Sequence, residues 1–385
     1  MISKCKFLFL LVLLVGAFSC SPKGDDSISE VIVNGNKMYV SELNSINSKL
    51  ITLPLSKLVE ECTLVQLETN DDIMVATGLT TVTDNHIGII NSKKPYLLFD
   101  RSGKYLCNAG SVGQGPGEYS TTPIDDIIDE KNGLIYISPY YGDKLYIYKT
   151  SGEFVKCINF PMVIFKPIIF LYNNILTVIF EPNKGNESVA YQYDINTGVM
   201  VAELAAPPQL FSEKIGAEMM ISRNIPKVFD FSFLNISDTL YHFDVKNIKI
   251  LPFFSISDNT TKGILKGYCQ LNKDLCLTFL YSRNEPTRII ASDLKNKSSG
   301  FVKIVNDYCG NLPISANAYM FRNGYFTLNV QPEQLMDDIH KRLGESSCTE
   351  KERQALGKIL SSLKENTNNV VFIGKLKSEV KEKLW

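Results

Sequence analysis

One pattern recurs along this chain and limits the folds open to it more than any other feature. An apolar, aromatic-rich run leads into a turn carrying glycine, and a second apolar run follows. It stands at Phe99-Asp100-Arg101-Ser102-Gly103-Lys104-Tyr105-Leu106, at Tyr148-Lys149-Thr150-Ser151-Gly152-Glu153-Phe154-Val155, and at Tyr193-Asp194-Ile195-Asn196-Thr197-Gly198-Val199-Met200. Each copy reads as a β-hairpin. The glycines Gly103, Gly152 and Gly198 stand 49 and 46 residues apart, and weaker echoes follow at Leu240-Tyr241-His242-Phe243-Asp244 and Ile289-Ile290-Ala291-Ser292-Asp293-Leu294. Between the echoes lie short alternating runs such as Leu134-Ile135-Tyr136-Ile137-Ser138. Four short strands per repeat, at a period in the forties, describe one propeller blade. A parallel α/β fold would need helical periodicity between strands, and residues 63–330 show almost none.

The expected architecture is therefore all-β, a six-bladed β-propeller. Blades fall near 79–108, 124–160, 165–205, 228–257 and 264–305, and 314–330 joins strands from the chain ends to make the sixth. Cys62-Thr63-Leu64-Val65-Gln66-Leu67 and Asn369-Val370-Val371-Phe372-Ile373-Gly374-Lys375-Leu376 are the two strand-like runs available. Pairing both in one composite blade removes sheet edges that would otherwise invite aggregation. Residues 332–365 differ from the rest of the chain. Pro332 suits a helix start, Leu335, Ile339 and Leu343 share a face, and Gly344 is a stop. Thr349 and Glu352 have capping-box spacing ahead of Leu356, Ile359, Leu360 and Leu363. A helical hairpin inserted before the closing strand follows, with its apolar stripe packed on the propeller.

The chain opens with Lys4 and Lys6, an apolar run from Phe7 to Val15, and Gly16-Ala17-Phe18-Ser19-Cys20. That run is too short for the roughly 20 residues of a membrane-spanning helix, but basic, apolar and small-residue regions in that order make a secretory signal. With cysteine directly after the small residues it resembles the bacterial lipoprotein signal, in which Cys20 would become the lipidated N-terminus. Ala17 stands where such signals usually carry Leu; the alternative is an ordinary secreted protein cut near Ser19. The expected division is a signal over 1–19, a lipidated cysteine and tether over 20–50, and the propeller over 51–385. Losing the signal leaves 366 residues and takes the formal charge from −1 to −3, so there is no basic excess for nucleic acid. The tether's Ser21-Pro22-Lys23-Gly24-Asp25-Asp26 faintly resembles surface-export signals of Bacteroidetes. Seven cysteines follow Cys20, none spaced Cys-x-x-Cys and most with apolar neighbours, which describes buried thiols rather than a disulfide scaffold.

Gly113-Gln114-Gly115-Pro116-Gly117-Glu118-Tyr119 carries a wider resemblance. With Leu67-Glu68-Thr69, the Phe99-Asp100-x-x-Gly103-Lys104 hairpin, Ser237-Asp238-Thr239-Leu240-Tyr241 and Glu365-Asn366-Thr367-Asn368-Asn369-Val370-Val371, the chain resembles the six-bladed propeller lipoproteins of Bacteroidetes, relatives of NHL-repeat propellers. That family more usually has Pro where Asn369 stands. The resemblance implies the fold and a cell-envelope location, lipid-anchored to the outer membrane on either its periplasmic or its outer side. It implies no particular activity.

In an antiparallel blade the inter-blade connection and the hairpin between second and third strands emerge at one end. This gathers Gln114, Glu118, Tyr119, Tyr140, Tyr141 and Asp143 as candidate ligand contacts. Rings beside carboxylate and amide groups suit a sugar or a peptide. The alternative is that the glycines only shape a tight turn and Glu118 caps backbone N–H groups. Neither GxGxxG nor GxxxxGK[ST] is present, so the glycines do not read as a phosphate loop. His86 in a turn, His242 in a strand and His340 on a helix are too scattered for a zinc site or a serine-hydrolase triad, and no Gly-x-Ser-x-Gly elbow exists. Asp125 and Asp126 begin an innermost strand near the channel mouth and are the candidate calcium ligands; Asp71-Asp72 is a poorer pair, and Asp129-Glu130-Lys131-Asn132-Gly133 reads as a solvated hairpin turn.

Three functions fit this sequence. The first is a non-enzymatic, envelope-tethered binding propeller whose ligand or partner is a glycan, a peptide or an envelope protein, touching the membrane through its lipid alone. The second is a calcium-dependent hydrolase or lyase resembling the lactonase-type propellers. The third is an assembly subunit whose helices dock a partner. Oligomeric state is open.

Overall fold

Tight hairpins set the course of the chain. Asn173 and Asn174 both take left-handed backbone, φ 48° and 64°, as do Asn323 and Gly324, φ 53° and 80°. Two consecutive positive φ values twist a two-residue loop to match its flanking strands. These turns join first to second strands in two of the blades. In a computed structural model, residues 27–379 are described apart from 76–77, 92–93, 184, 212–217, 235 and 259–263. The signal, Cys20 and the first residues of the tether lie outside the described residues.

Six antiparallel sheets stand around a central channel. Blade 1 covers 79–109, blade 2 covers 123–165, blade 3 covers 168–205, blade 4 covers 219–257 and blade 5 covers 265–313. Blade 6 is composite, as expected: Tyr319–Arg322 is innermost, then Tyr325–Val330, Val370–Lys375 and, outermost, Thr63–Gln66. Val371 faces Val65 across the closing pair. Blade 1 leans on that closure, because Glu68 N–H donates to Gly103 O at 2.8 Å. A methyl at Gly103 would sit 2.2 Å from Gln66 O, so only glycine fits there.

Strands begin before residue 51, inside the segment expected as a tether. Ile28–Val33 and Asn36–Glu42 form a hairpin, and Asn36–Glu42 adds in parallel to the outer strand Lys249–Ser257 of blade 4. Asn47–Pro54 adds in parallel to Ser298–Asn306 of blade 5. The local cause is Asn34-Gly35, φ 49° and 77°, between two apolar-alternating runs. These additions cover the outer edges of two blades.

The inserted helices are α1, Pro332–Gly344, and α2, Glu350–Ser362. Pro332 is in the first turn of α1, and Thr349 with Glu352 closes the capping box of α2. Leu335, Ile339 and Leu356 are buried in one cluster with Leu53, Leu55, Cys309 and Leu312 of the propeller. Each such side chain contributes about 1.5–3 kcal/mol by leaving water. Arg342 ties the insert down, donating to Gly310 O at 3.2 Å and to Glu352 Oε2 at 3.1 Å. All seven described cysteines are free thiols; burial pushes Cys62 up to about 12, so it stays protonated and inert at neutral pH. No helix among the described residues is long and apolar enough to cross a membrane.

Candidate functional site

The channel is blocked midway by charge. Asp125 and Asp126 sit on the innermost strand of blade 2, Arg322 ends that of blade 6, and Arg223 follows that of blade 4. All four side chains are at least nine-tenths buried. Arg223 Nη2 donates to Asp125 Oδ1 at 2.9 Å and to Asp126 O at 3.1 Å, while its Nη1 reaches Ile169 O at 2.7 Å on blade 3. Arg322 pairs with Asp125 Oδ1 and meets Asp126 Oδ1 at 3.2 Å. Asp125 also accepts from the N–H groups of Asp126 and Ile169 at 2.9 and 2.7 Å. Asp126 accepts from the hydroxyls of Thr81 at 2.6 Å and Tyr96 at 2.8 Å. Two cations therefore meet two carboxylates, and five of the six blades contribute.

Buried charges persist only when paired and hydrogen-bonded; here every carboxylate oxygen is met, while Arg223 Nε and Arg322 Nε are left without a partner among the described residues. Burial pushes the Asp126 carboxyl up, with the Arg322 guanidinium opposing the rise. Burial and then the neighbouring Arg322 lower Arg223 to about 10, which leaves it charged at neutral pH. The Asp125-Asp126 pair expected to meet calcium thus has guanidinium groups against its oxygens.

This ionic layer separates two cavities. The larger, about 790 Å³, opens at the end where first strands turn into second strands. Arg223 lines it, together with Ile127, Leu171, Ile225, Leu271 and Leu376, and its rim carries Asp84, Asp129, Glu130, Lys273, Lys375 and Lys377. Its size lies within the range of about 300–1,000 Å³ usual for small-molecule sites. The smaller, about 170 Å³, lies at the other end and is lined by Arg322, Lys166, Glu218 and the first residues of several inner strands. Lys166 and Glu218 pair across its mouth.

The six candidate ligand contacts are all at the small-cavity end, since the strand Pro123–Asp129 starts beside them and finishes at the large cavity. Tyr140 and Tyr141 both set their edges against Phe165, with centroids 5.0 and 5.6 Å away, and Asp143 is exposed beside them. Gln114 is exposed on the glycine loop. Tyr119 is not a solvent-facing ring: it is 0% exposed, and its hydroxyl takes the Tyr96 N–H at 2.8 Å. Glu118 turns inward on its own loop, accepting from Gly115 N–H at 2.8 Å and Ser111 Oγ at 3.0 Å. A methyl on Gly113 would lie 2.0 Å from that carboxylate, so this glycine makes room for the cap.

Other expectations shift as well. His86, expected in a turn, opens the strand His86–Ile90 and faces Glu130 at 3.1 Å. Glu130 is not merely solvated: it accepts from Asn85 N–H at 2.8 Å, Asn85 Nδ2 at 2.6 Å and the Thr83 hydroxyl, locking blade 2 to blade 1. Burial pushes its carboxyl up, but these donors bring it below the usual value overall. His242 stacks on Phe253 and meets Gln270 at 2.8 Å, and burial holds its pKa down. Asp71-Asp72 falls in the short turn Asp71–Ile73, capped by Asn70. Arg223 and Arg322 were not anticipated. The available signal was two aspartates inside an apolar strand, which cannot be buried without cations brought from elsewhere.

No curated protein matches the sequence. Among solved structures, a Bacteroides fragilis protein described as a candidate exported protein superposes with a TM-score of 0.60 at 16% identity, covering 86% of this chain and 100% of its own. A Bacteroides vulgatus member of the DUF4221 family superposes at 0.49 with 10% identity, covering 84% and 98%. At 16% identity the first likeness speaks for the fold alone. The family model of DUF4934, a domain of unknown function, matches residues 38–375, and the chain belongs to that family.

Proposed function

We propose that this protein is a non-enzymatic binding propeller of the cell envelope, tethered by lipid on Cys20, and that it holds a peptide or glycan ligand in the large cavity. The observation that carries this reading is the cavity itself. It is about 790 Å³ with an apolar wall and a charged rim, and its floor is a hydrogen-bonded ionic layer that closes the channel behind it. Such a floor is rigid, and rigidity lowers the ordering cost of binding. The signal-like N-terminus and the fold shared with a Bacteroides fragilis protein described as a candidate exported protein support the envelope location.

Thermal unfolding of the chain beginning at Ser21, scanned against envelope glycans, peptides and calcium, tests the proposal. A ligand at about 100 times its dissociation constant stabilises by roughly 2.7 kcal/mol. The same scan on Ile225→Trp, which fills the cavity, should lose the shift. A shift that survives Ile225→Trp but disappears in Tyr140→Ala with Asp143→Ala would move the site to the opposite end. Calcium alone raising the melting temperature, with the rise lost in Asp125→Asn, would favour the hydrolase or lyase reading.

A further inference from the structure

The charged rim of the large cavity is sorted by blade, and the sorting selects a ligand. Around a six-bladed ring, blade 2 stands opposite blade 5. Blade 2 brings Asp129 to the cavity, its neighbour Glu130 being held by Thr83, Asn85 and His86, while blade 5 brings Lys273 and the segment after blade 6 brings Lys377. Asp84 and Lys375 largely cancel each other, being paired at 3.6 Å where blades 6 and 1 meet. Asp129 accepts from the side chain and N–H of Asn132 at 2.7 and 3.3 Å, neutral donors that leave its charge in place. Lys273 pairs loosely with Asp274 at 3.8 Å but is more than two-thirds exposed, which leaves most of its ammonium open to a ligand. Ile127, Leu171, Ile225 and Leu271 lie between the two poles.

Resting on the reading of this cavity as the binding site, we infer that the ligand is a short apolar peptide with free termini, its ammonium toward Asp129 and its carboxylate toward Lys273. A neutral sugar leaves both poles unanswered, and a ligand with a single charge meets one pole of its own sign. A zwitterion with an apolar body answers both poles and covers the wall between them.

Isothermal titration of the chain beginning at Ser21 against three probes tests this: trileucine, N-acetyl-trileucine amide and maltotriose. Trileucine should bind at least about tenfold more tightly than its blocked form, the scale of one charge-assisted contact. Asp129→Asn at a half-buried rim position and Lys273→Gln at an exposed one should each remove most of that preference. Equal or tighter binding of the blocked peptide or of maltotriose, abolished by Ile225→Trp, would overturn the inference and leave the cavity as the site. No binding of any probe would overturn the inference, while the wider ligand scan against Ile225→Trp decides the cavity separately.

Discussion

The two ends of the channel are built from opposite kinds of chain. At the small-cavity end, the glycine-rich connection over 110–119 is folded on itself: Glu118 occupies its own loop's donors, and Tyr119 is packed inside. At the large-cavity end, short hairpins stop at the rim and leave Asp129 and Lys273 facing a shared space. The more conspicuous sequence has satisfied its Glu118 carboxylate and Tyr119 hydroxyl internally. The end with ordinary turn residues has charges left for a ligand. A distinctive motif is therefore as ready a sign of a demanding turn as of a site.

Removing the partition should have the largest effect. Asp125→Ala leaves Arg223 and Arg322 close together without the carboxylate that joins them, and breaking a buried pair this way costs about 3–5 kcal/mol. Denaturant unfolding reads the loss, and a cost under about 1 kcal/mol would mean that the ionic layer does not hold the channel. Filling the cavity comes next: Ile225→Trp should weaken a cavity ligand by more than about tenfold with little change in melting temperature. Glu118→Ala should lower the melting temperature slightly by freeing the Gly115 and Ser111 donors, and should not alter that ligand's affinity. An affinity loss in Glu118→Ala would put the ligand at the glycine end.

The smallest effect expected is on acid stability. Backbone and side-chain donors at Thr349 and Asn311 hold Glu352 down to about 2, and the Gly115 and Ser111 donors hold Glu118 below its ordinary value. A depressed carboxylate stabilises the fold fully above its unfolded value, about 4.3, and that stability is lost as pH falls through the folded value. Melting temperature should therefore decline from about pH 4.3 toward pH 2, and Glu352→Gln should flatten that decline. A decline of equal steepness in the variant would assign the acid sensitivity elsewhere.

Local signals were legible in the chain and distant ones were not. Gly103, Gly152 and Gly198 each take a positive φ that their own hairpins demand, so the repeat could be read from turn chemistry alone. The composite blade followed from the need to bury two leftover strands. The first strand of blade 4, Met219–Ile221, has three residues and hence no periodicity to read. The N-terminal hairpin did carry a readable sign in Asn34-Gly35, but it lies outside the propeller period. Arg223 meets Asp125 across 98 residues, and the cavity exists only once six blades close. Neither leaves a trace in spacing.

Hydrogen exchange of the chain beginning at Ser21, with and without saturating trileucine, locates the ligand. A ligand in the large cavity slows exchange in the hairpins at 83–86, 129–134 and 272–275 and leaves 113–119 and 139–143 unchanged. Protection confined to 113–119 and 139–143 would contradict that placement and return the site to the glycine end.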